Sequence, residues 1–323
     1  MKAIVNAAVG VLEWADVPTP EPGPGQVRVR TAACGICATD VEMIDGDPRT
    51  TCPAILGHEW SGTVDAVGAE ADRSLLGRPC VASNVLAAGG EVGFEHPGGY
   101  GQFLVTDAAN VRPLPAGYPL TAAALIEPLA VCVHGLSRMD PHSGADALVL
   151  GDGPIGLLTV CLLARETDRV VLVGGRDRRL ALGGKLGAAE VVNYHQAGPG
   201  LVEALGRFGS VVEASGSAAA MTTALACAAP RAKVLALGDY GSAARADFAW
   251  NDLLHNQWEL IGSDASDEAS WDRAVALATG GIVPLERLAT HTLPARRFAE
   301  GMALARSRAS EAVKVVLDWE GDQ

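Results

Sequence analysis

Four short stretches hold residues whose types and spacing could do chemistry. The first, CGICATD (34–40), sets Cys34 and Cys37 three positions apart and follows them with Thr39 and Asp40. Such a pair can be a redox dithiol, half of a structural zinc site, or one metal ligand beside a bystander thiol. The second, ILGHEWSGTV (55–64), offers an imidazole at His58 and a carboxylate at Glu59. Added to a Cys37 thiolate, these form an N/O/S donor set suited to zinc. The third, IEPLAVCVHG (126–135), brings Glu127. Each is ambiguous alone. His58 could be a structural histidine in a Gly-His-Glu turn, and Glu127 could cap a helix whose first turn holds Pro128.

The fourth stretch, GDGPIG, places Gly151, Gly153 and Gly156 in G-x-G-x-x-G order. It follows the apolar strand ALVLG and opens a helix through Pro154 and Ile155, the context in which this motif marks a dinucleotide site. The glycines permit a tight turn, close approach of a pyrophosphate and close packing of the helix, whose N-terminus favours phosphate. An NAD-preferring fold puts an acidic residue about 20 residues further on, for the ribose 2′-hydroxyl. Here VVLVGGRDRR has Gly174 at that place and Arg176 close by. Without a carboxylate a 2′-phosphate is not repelled, and a guanidinium can pair with it. The stretch therefore leans to NADP(H). NAD(H) is the alternative if Arg176, Arg178 and Arg179 simply open a solvated helix and Asp177 supplies the acid.

The elements that must position these groups follow a change of character along the chain. Up to about residue 115, short apolar runs alternate with Gly and Pro, a β-rich pattern. In QVRVRT (26–31), Val27 and Val29 would share one strand face and Arg28 and Arg30 the other. GGYGQFLVTDAANVRPLP (98–115) predicts a strand pair after a Gly-Gly turn. Beyond about 120, strands alternate with helices, which indicates a parallel, doubly wound sheet. The 323 residues suit two domains. With 25 basic against 38 acidic residues the formal net charge is −13, and no basic run provides a nucleic-acid surface. The N-terminus lacks the apolar core of a signal peptide, and IGLLTVCLLA (155–164) is too short to span a bilayer, so a cytoplasmic protein without a membrane partner is expected. Seven cysteines at irregular spacing show no disulfide framework.

Taken together, Cys37-Ala-Thr-Asp40, Gly57-His58-Glu59, Glu127-Pro128-Leu129 and GDGPIG resemble the zinc-dependent medium-chain alcohol and polyol dehydrogenases, from MKA and PEPGPGQV to the closing KVVL strand. The resemblance implies an α/β protein: a GroES-like β-rich catalytic domain (1–128 and 264–323), a Rossmann domain (129–263), and a catalytic zinc in the cleft between them. It implies Cys37 and His58 as the first zinc ligands, with Glu59 a ligand or exchanging with water. Glu127 takes the third-ligand place, as in the polyol and sugar branch. Asp40 would accept from the far nitrogen of His58. Thr39 would relay the alcohol's proton, and Glu42 would end that relay or be a surface carboxylate. Gly151, Gly153, Pro154, Ile155, Gly156, Gly174 and Arg176 would bind the cofactor.

The chain departs from the family at 80–101, where a lobe with four cysteines usually holds a second zinc. This segment contains only Cys80, so one zinc per chain is expected. The strand in QWELIG (257–262) resembles the family's dimerisation edge, which implies a homodimer or homotetramer. The expected reaction is hydride transfer between a nicotinamide cofactor and a small secondary alcohol or ketone, a sugar, polyol or cyclitol. The alternatives are a zinc-free quinone or enoyl reductase and a non-catalytic NADPH-binding protein on the same fold.

Overall fold

The computed structural model describes residues 1–141, 146–241, 245, 248–307 and 310–322. It divides into two compact units: Met1–Glu127 with Trp271–Gln323, and Pro128–Ser270.

The first unit is organised by one strand, Gln26–Gly35. Its alternation does what the pattern predicts: Val27 and Val29 are fully buried, while Arg28 on the other face pairs with Asp65 and Glu21. One edge of this strand is taken by Glu59–Val67. The other edge is shared, with Phe103–Asp107 along Gln26–Arg30 and Val315–Asp318 along Ala33–Gly35, all antiparallel. Chain segments nearly 300 residues apart thus meet on one ladder. The expected strand pair in 98–115 does not form. Phe103–Asp107 joins the central strand and Val111–Pro113 joins Pro79–Ala82, because the turn Ala108–Asn110 between them redirects the chain.

Immediately after the central strand the chain turns into a short helix, Ala38–Ile44, which buries Asp40, Met43 and Ile44. Seven residues make a marginal helix on their own. Its C-terminal end is tied down by Asp45, whose two oxygens receive Arg306 Nη1 and Nη2 at 2.6 and 2.8 Å from the helix Phe298–Arg306.

The second unit is a six-stranded, all-parallel sheet. Its spatial order is Glu190–Asn193, Arg169–Gly174, Asp146–Leu150, Phe208–Glu213, Ala228–Ala236, Glu259–Gly262. The strand first in sequence lies in the middle, and the order reverses between it and Phe208–Glu213. That reversal is the topological switch point at which open α/β sheets bind ligands. The strands carry near-continuous apolar runs, such as Val170–Val173, because helices cover both faces. The helix Pro154–Leu163 is apolar all round and buried from Gly156 to Leu163.

The sequence reading overlooked one apolar run. Leu120–Met139 reaches 20 residues, long and apolar enough by composition to cross a membrane, but 61% of its most apolar window is buried inside the protein. It serves as core, and it carries Glu127 in the first turn of the helix Ile126–Met139.

The Asp45–Arg306 fork gives a stability test. Arg306 holds the Asp45 carboxyl below the ordinary carboxylate range. Its contribution is therefore present above the unfolded-state value and fades as pH falls through the lowered folded value. Both groups are substantially exposed, so D45N should cost no more than about 1 kcal/mol at pH 7. Urea unfolding of wild type and D45N should differ at pH 7 and converge below the carboxylate range. A constant difference at all pH values would assign the loss to packing.

Candidate metal centre and nucleotide loop

Cys37 is the residue at which the extended chain enters the helix Ala38–Ile44. Its backbone N–H donates to Asp40 Oδ2 at 2.8 Å. That carboxylate is fully buried and also accepts from the Tyr100 hydroxyl at 3.0 Å. Its other oxygen, Oδ1, lies 3.3 Å from His58 Nδ1. The approach is close but not aligned as a hydrogen bond, so both atoms are left without a partner.

His58 is presented by a turn that tolerates no side chain before it. Gly57 has φ +95°, and a Cβ there would lie 2.6 Å from the Tyr100 ring and 2.8 Å from Cys34 Sγ. The His58 carbonyl accepts from Asn84 Nδ2 at 2.9 Å, and Asn84 Oδ1 accepts from Trp60 Nε1 at the same distance. The imidazole packs against Phe94, with centroids 4.7 Å apart. Burial works against protonation of His58, but Asp40 and Cys37 outweigh it and raise its pKa well above the ordinary value.

Glu59 opens the strand opposite Gly35, where a Cβ would collide with its carboxylate. Oε1 receives Lys314 Nζ at 2.5 Å, and Oε2 has no partner. Lys314 is buried as well and also donates to the Ile36 carbonyl at 3.3 Å. Burial favours its neutral form, but Glu59 and Cys37 overcome that and keep it charged.

One donor atom each from Cys37, His58 and Glu59 lies within 4.8 Å of the others. Tetrahedral zinc sets its ligand atoms about 3.5 Å apart, so a small contraction would close the three around an ion. Glu59 Oε2, a donor atom of this cluster, is buried without a partner, while His58 Nδ1 and Asp40 Oδ1, likewise without hydrogen bonds, face each other behind it. The residues present fit a zinc ion.

Glu127 lies outside the three-donor cluster, half-buried in the first turn of its helix. It belongs to the same electrostatic neighbourhood. Burial pushes its carboxyl up to about 7; the Glu59 and Asp40 carboxylates add to the shift, and His58 and Lys314 oppose it. Thr39 is half-buried, its Oγ1 3.6 Å from Cys37 Sγ. Glu42 is exposed on the same helix.

In the second unit Gly153 precedes the helix and Pro154 is its first residue. A Cβ at Gly156 would collide with the Gly151 carbonyl, so the helix packs against the loop as the motif requires. A Cβ at Gly153 would meet nothing within 4 Å, leaving the open approach a pyrophosphate needs, with Ile155 following in the first turn. Gly174 ends the second strand and Arg176 precedes the helix Asp177–Leu186. Position 174 itself carries no carboxylate, as expected, but one reaches this point from elsewhere. Asp152, from the glycine loop, accepts from the backbone N–H groups of Gly175 and Arg176 at 2.9 and 2.8 Å and pairs with Arg176 Nη1 at 3.2 Å.

Sequence reasoning missed Lys314, Tyr100, Asn84 and Asp152. The first three had no local signal, because their partners are far away in sequence. Asp152 lay in plain view as the second residue of GDGPIG.

Residues 23–116 match the alcohol dehydrogenase GroES-like domain and residues 121–319 the glucose dehydrogenase C-terminus. An L-threonine 3-dehydrogenase of Anaeromyxobacter sp. (strain Fw109-5) is 31% identical over 99% of each chain. A candidate zinc-binding dehydrogenase of Sinorhizobium meliloti 1021, solved bound to NADP, superimposes with a TM-score of 0.92 at 25% identity, over 98% of each chain. Galactitol-1-phosphate dehydrogenase of Escherichia coli gives 0.89 at 25% identity, over 98% of this chain and 100% of that one.

The Lys314–Glu59 pair yields a measurable expectation. Removing one partner of a buried ion pair strands the other charge, at a cost of about 3–5 kcal/mol. K314M should lower the stability of the metal-free protein by that amount in denaturant unfolding, and E59Q/K314M should recover part of it. An unchanged midpoint in K314M would show that water reaches the pair.

Proposed function

Because the chain belongs to the zinc-dependent medium-chain dehydrogenase/reductase family, we propose that it is a single-zinc dehydrogenase. In this reading it moves a hydride between NADP(H), with NAD(H) as the lesser alternative, and a secondary alcohol or the matching ketone. The substrate class is polyhydroxylated: a sugar, polyol or cyclitol. The observation that carries this reading is the Cys37–His58–Glu59 cluster, whose donor atoms lie within 4.8 Å of one another and whose Glu59 Oε2 is buried without a partner. The Glu127 carboxylate beside it supports the polyol branch, as does the galactitol-1-phosphate dehydrogenase among its structural neighbours. The Arg176 guanidinium at the end of the second Rossmann strand supports NADP(H), opposed by the Asp152 carboxylate that pairs with it.

When bound, zinc would supply Lewis acidity toward the substrate oxygen and the nicotinamide would accept or return the hydride. The chain's own residues do the rest. Cys37, His58 and Glu127 would hold the ion, with Glu59 a further ligand or exchanging with water. Asp40, pinned by Cys37 N–H and Tyr100, faces His58 Nδ1, which fixes the proton there and leaves Nε2 for the metal. Thr39 offers a hydroxyl beside Cys37 that can accept the alcohol's proton while donating its own. Glu42, exposed on the same helix, passes that proton to solvent. Lys314 holds one oxygen of Glu59 and leaves the other available, consistent with Glu59 exchanging with water as a ligand.

The edge strand Glu259–Gly262 supports a homodimer or homotetramer. Leu260 on it is exposed, as are Trp250 and Leu254 on the helix before it. Solution scattering should report a mass of two or four chains, and a monomer at working concentration contradicts the assignment.

Chelation tests the zinc reading. Turnover with a panel of polyols and their ketones should disappear on treatment with a chelator and return with zinc. A zinc-free reductase would be indifferent. C37A should lower kcat/KM at least about 100-fold, with NADPH binding by fluorescence retained. Near-full turnover in C37A, or two zinc ions per chain by metal analysis, would overturn the single-zinc assignment.

A further inference from the structure

We propose that Asp152 sets the cofactor preference by filling, from within the protein, the anion site that a 2′-phosphate would use. The inference rests on the dinucleotide reading above. Three donors converge on this one carboxylate: the successive backbone N–H groups of Gly175 and Arg176 on Oδ2 and the Arg176 guanidinium on Oδ1. Two adjacent backbone N–H groups ahead of a helix, joined by a guanidinium, form an anion-binding arrangement. The helix is Asp177–Leu186, ten residues long. Here the anion is built in, and the Asp152 side chain is 6% exposed.

Its placement follows from the sheet. The strands Asp146–Leu150 and Arg169–Gly174 run parallel, with Leu150 opposite Val173. The second residue of the glycine loop therefore stands beside the exit of the neighbouring strand. A Cβ on Gly174 would lie 2.5 Å from the Asp152 Cβ and 2.7 Å from its Oδ2. Asp152 thus fills the volume that a side chain at 174 would claim, and the carboxylate missing from 174 is supplied from 152. Glycine at 174 is the condition for that substitution of one chain position by another.

The electrostatic consequence is direct. The negative charge of Asp152 cancels the guanidinium it touches and occupies the two backbone donors, so a 2′-phosphate meets a neutralised site already in use. A ribose 2′-hydroxyl is neither repelled by the carboxylate nor dependent on those donors. Asp152 therefore holds the NADP(H) preference down and keeps NAD(H) usable.

The test is direct binding of NADH and NADPH to the purified full-length protein, followed by nicotinamide fluorescence, for wild type, D152N, R176A and D152N/R176A. Removing the charge at constant shape should tighten NADPH at least 10-fold in D152N while NADH changes no more than twofold, and the double variant should lose that gain. D152S, neutral and smaller, should shift the NADPH/NADH ratio the same way and serves if D152N folds poorly by circular dichroism. A ratio within twofold of wild type in both neutral variants, with R176A still weakening NADPH selectively, overturns the role of Asp152 and leaves the NADP(H) reading standing. Equal effects of R176A on both dinucleotides would overturn the NADP(H) reading itself.

Discussion

Charge in a space largely closed to water is the constraint on which the candidate metal centre depends. Asp40, His58, Glu59 and Lys314 are all buried, with Glu127 and Cys37 at the margin. None of these charges is tolerable alone, since an unpaired buried ion costs several kcal/mol even after relaxation. The fold meets the requirement in pairs: Lys314 on Glu59, and His58 facing Asp40. Glu127 is the residual: burial raises its proton affinity, and the Glu59 and Asp40 carboxylates add to that against the opposing pull of His58 and Lys314. A divalent ion among Cys37, His58 and Glu59, in the reading proposed above, would add positive charge where these carboxylates gather.

Backbone geometry makes those pairs possible. The strand Gln26–Gly35 delivers Cys37 just beyond its end, sets Glu59 opposite Gly35, and shares its second edge with the strand that follows Lys314. Glycine at 35 leaves room for the Glu59 carboxylate, and glycine at 57 leaves room for Tyr100 and Cys34 in front of His58. Cys34, buried and packed against Gly57 and Gly99, is thus part of the wall. The C-x-x-C spacing that opens the motif is a by-product of a strand ending at 35 and a helix starting at 38.

Much of this was legible in the residues. The glycine loop, the alternation of QVRVRT and the switch to strand–helix alternation each encode a local rule, and local rules can be read from a window of ten residues. Lys314 could not be found that way. In KVVL it looks like any lysine opening a strand, and its meaning comes from a partner 255 positions earlier. The misjudged strand pair at 98–115 failed for the same reason: apolar alternation shows that a segment is a strand and says nothing of which strand it joins. The glycine spacing of the loop is equally silent on Asp152, whose carboxylate reaches the end of the next strand.

The separation of Glu59 from Lys314 also has a meaning in time. A ribosome adding about 5–20 residues per second needs roughly 13–50 s to pass from one to the other. For that interval the strand Glu59–Val67 exists without the ammonium that neutralises its first residue and without the strand that completes the second edge of the ladder. Until the second unit has been synthesised in full, Glu59 has no Lys314 to pair with and cannot be buried as it is in the complete protein. Insertion of the closing strand is the event that lets the interior shut.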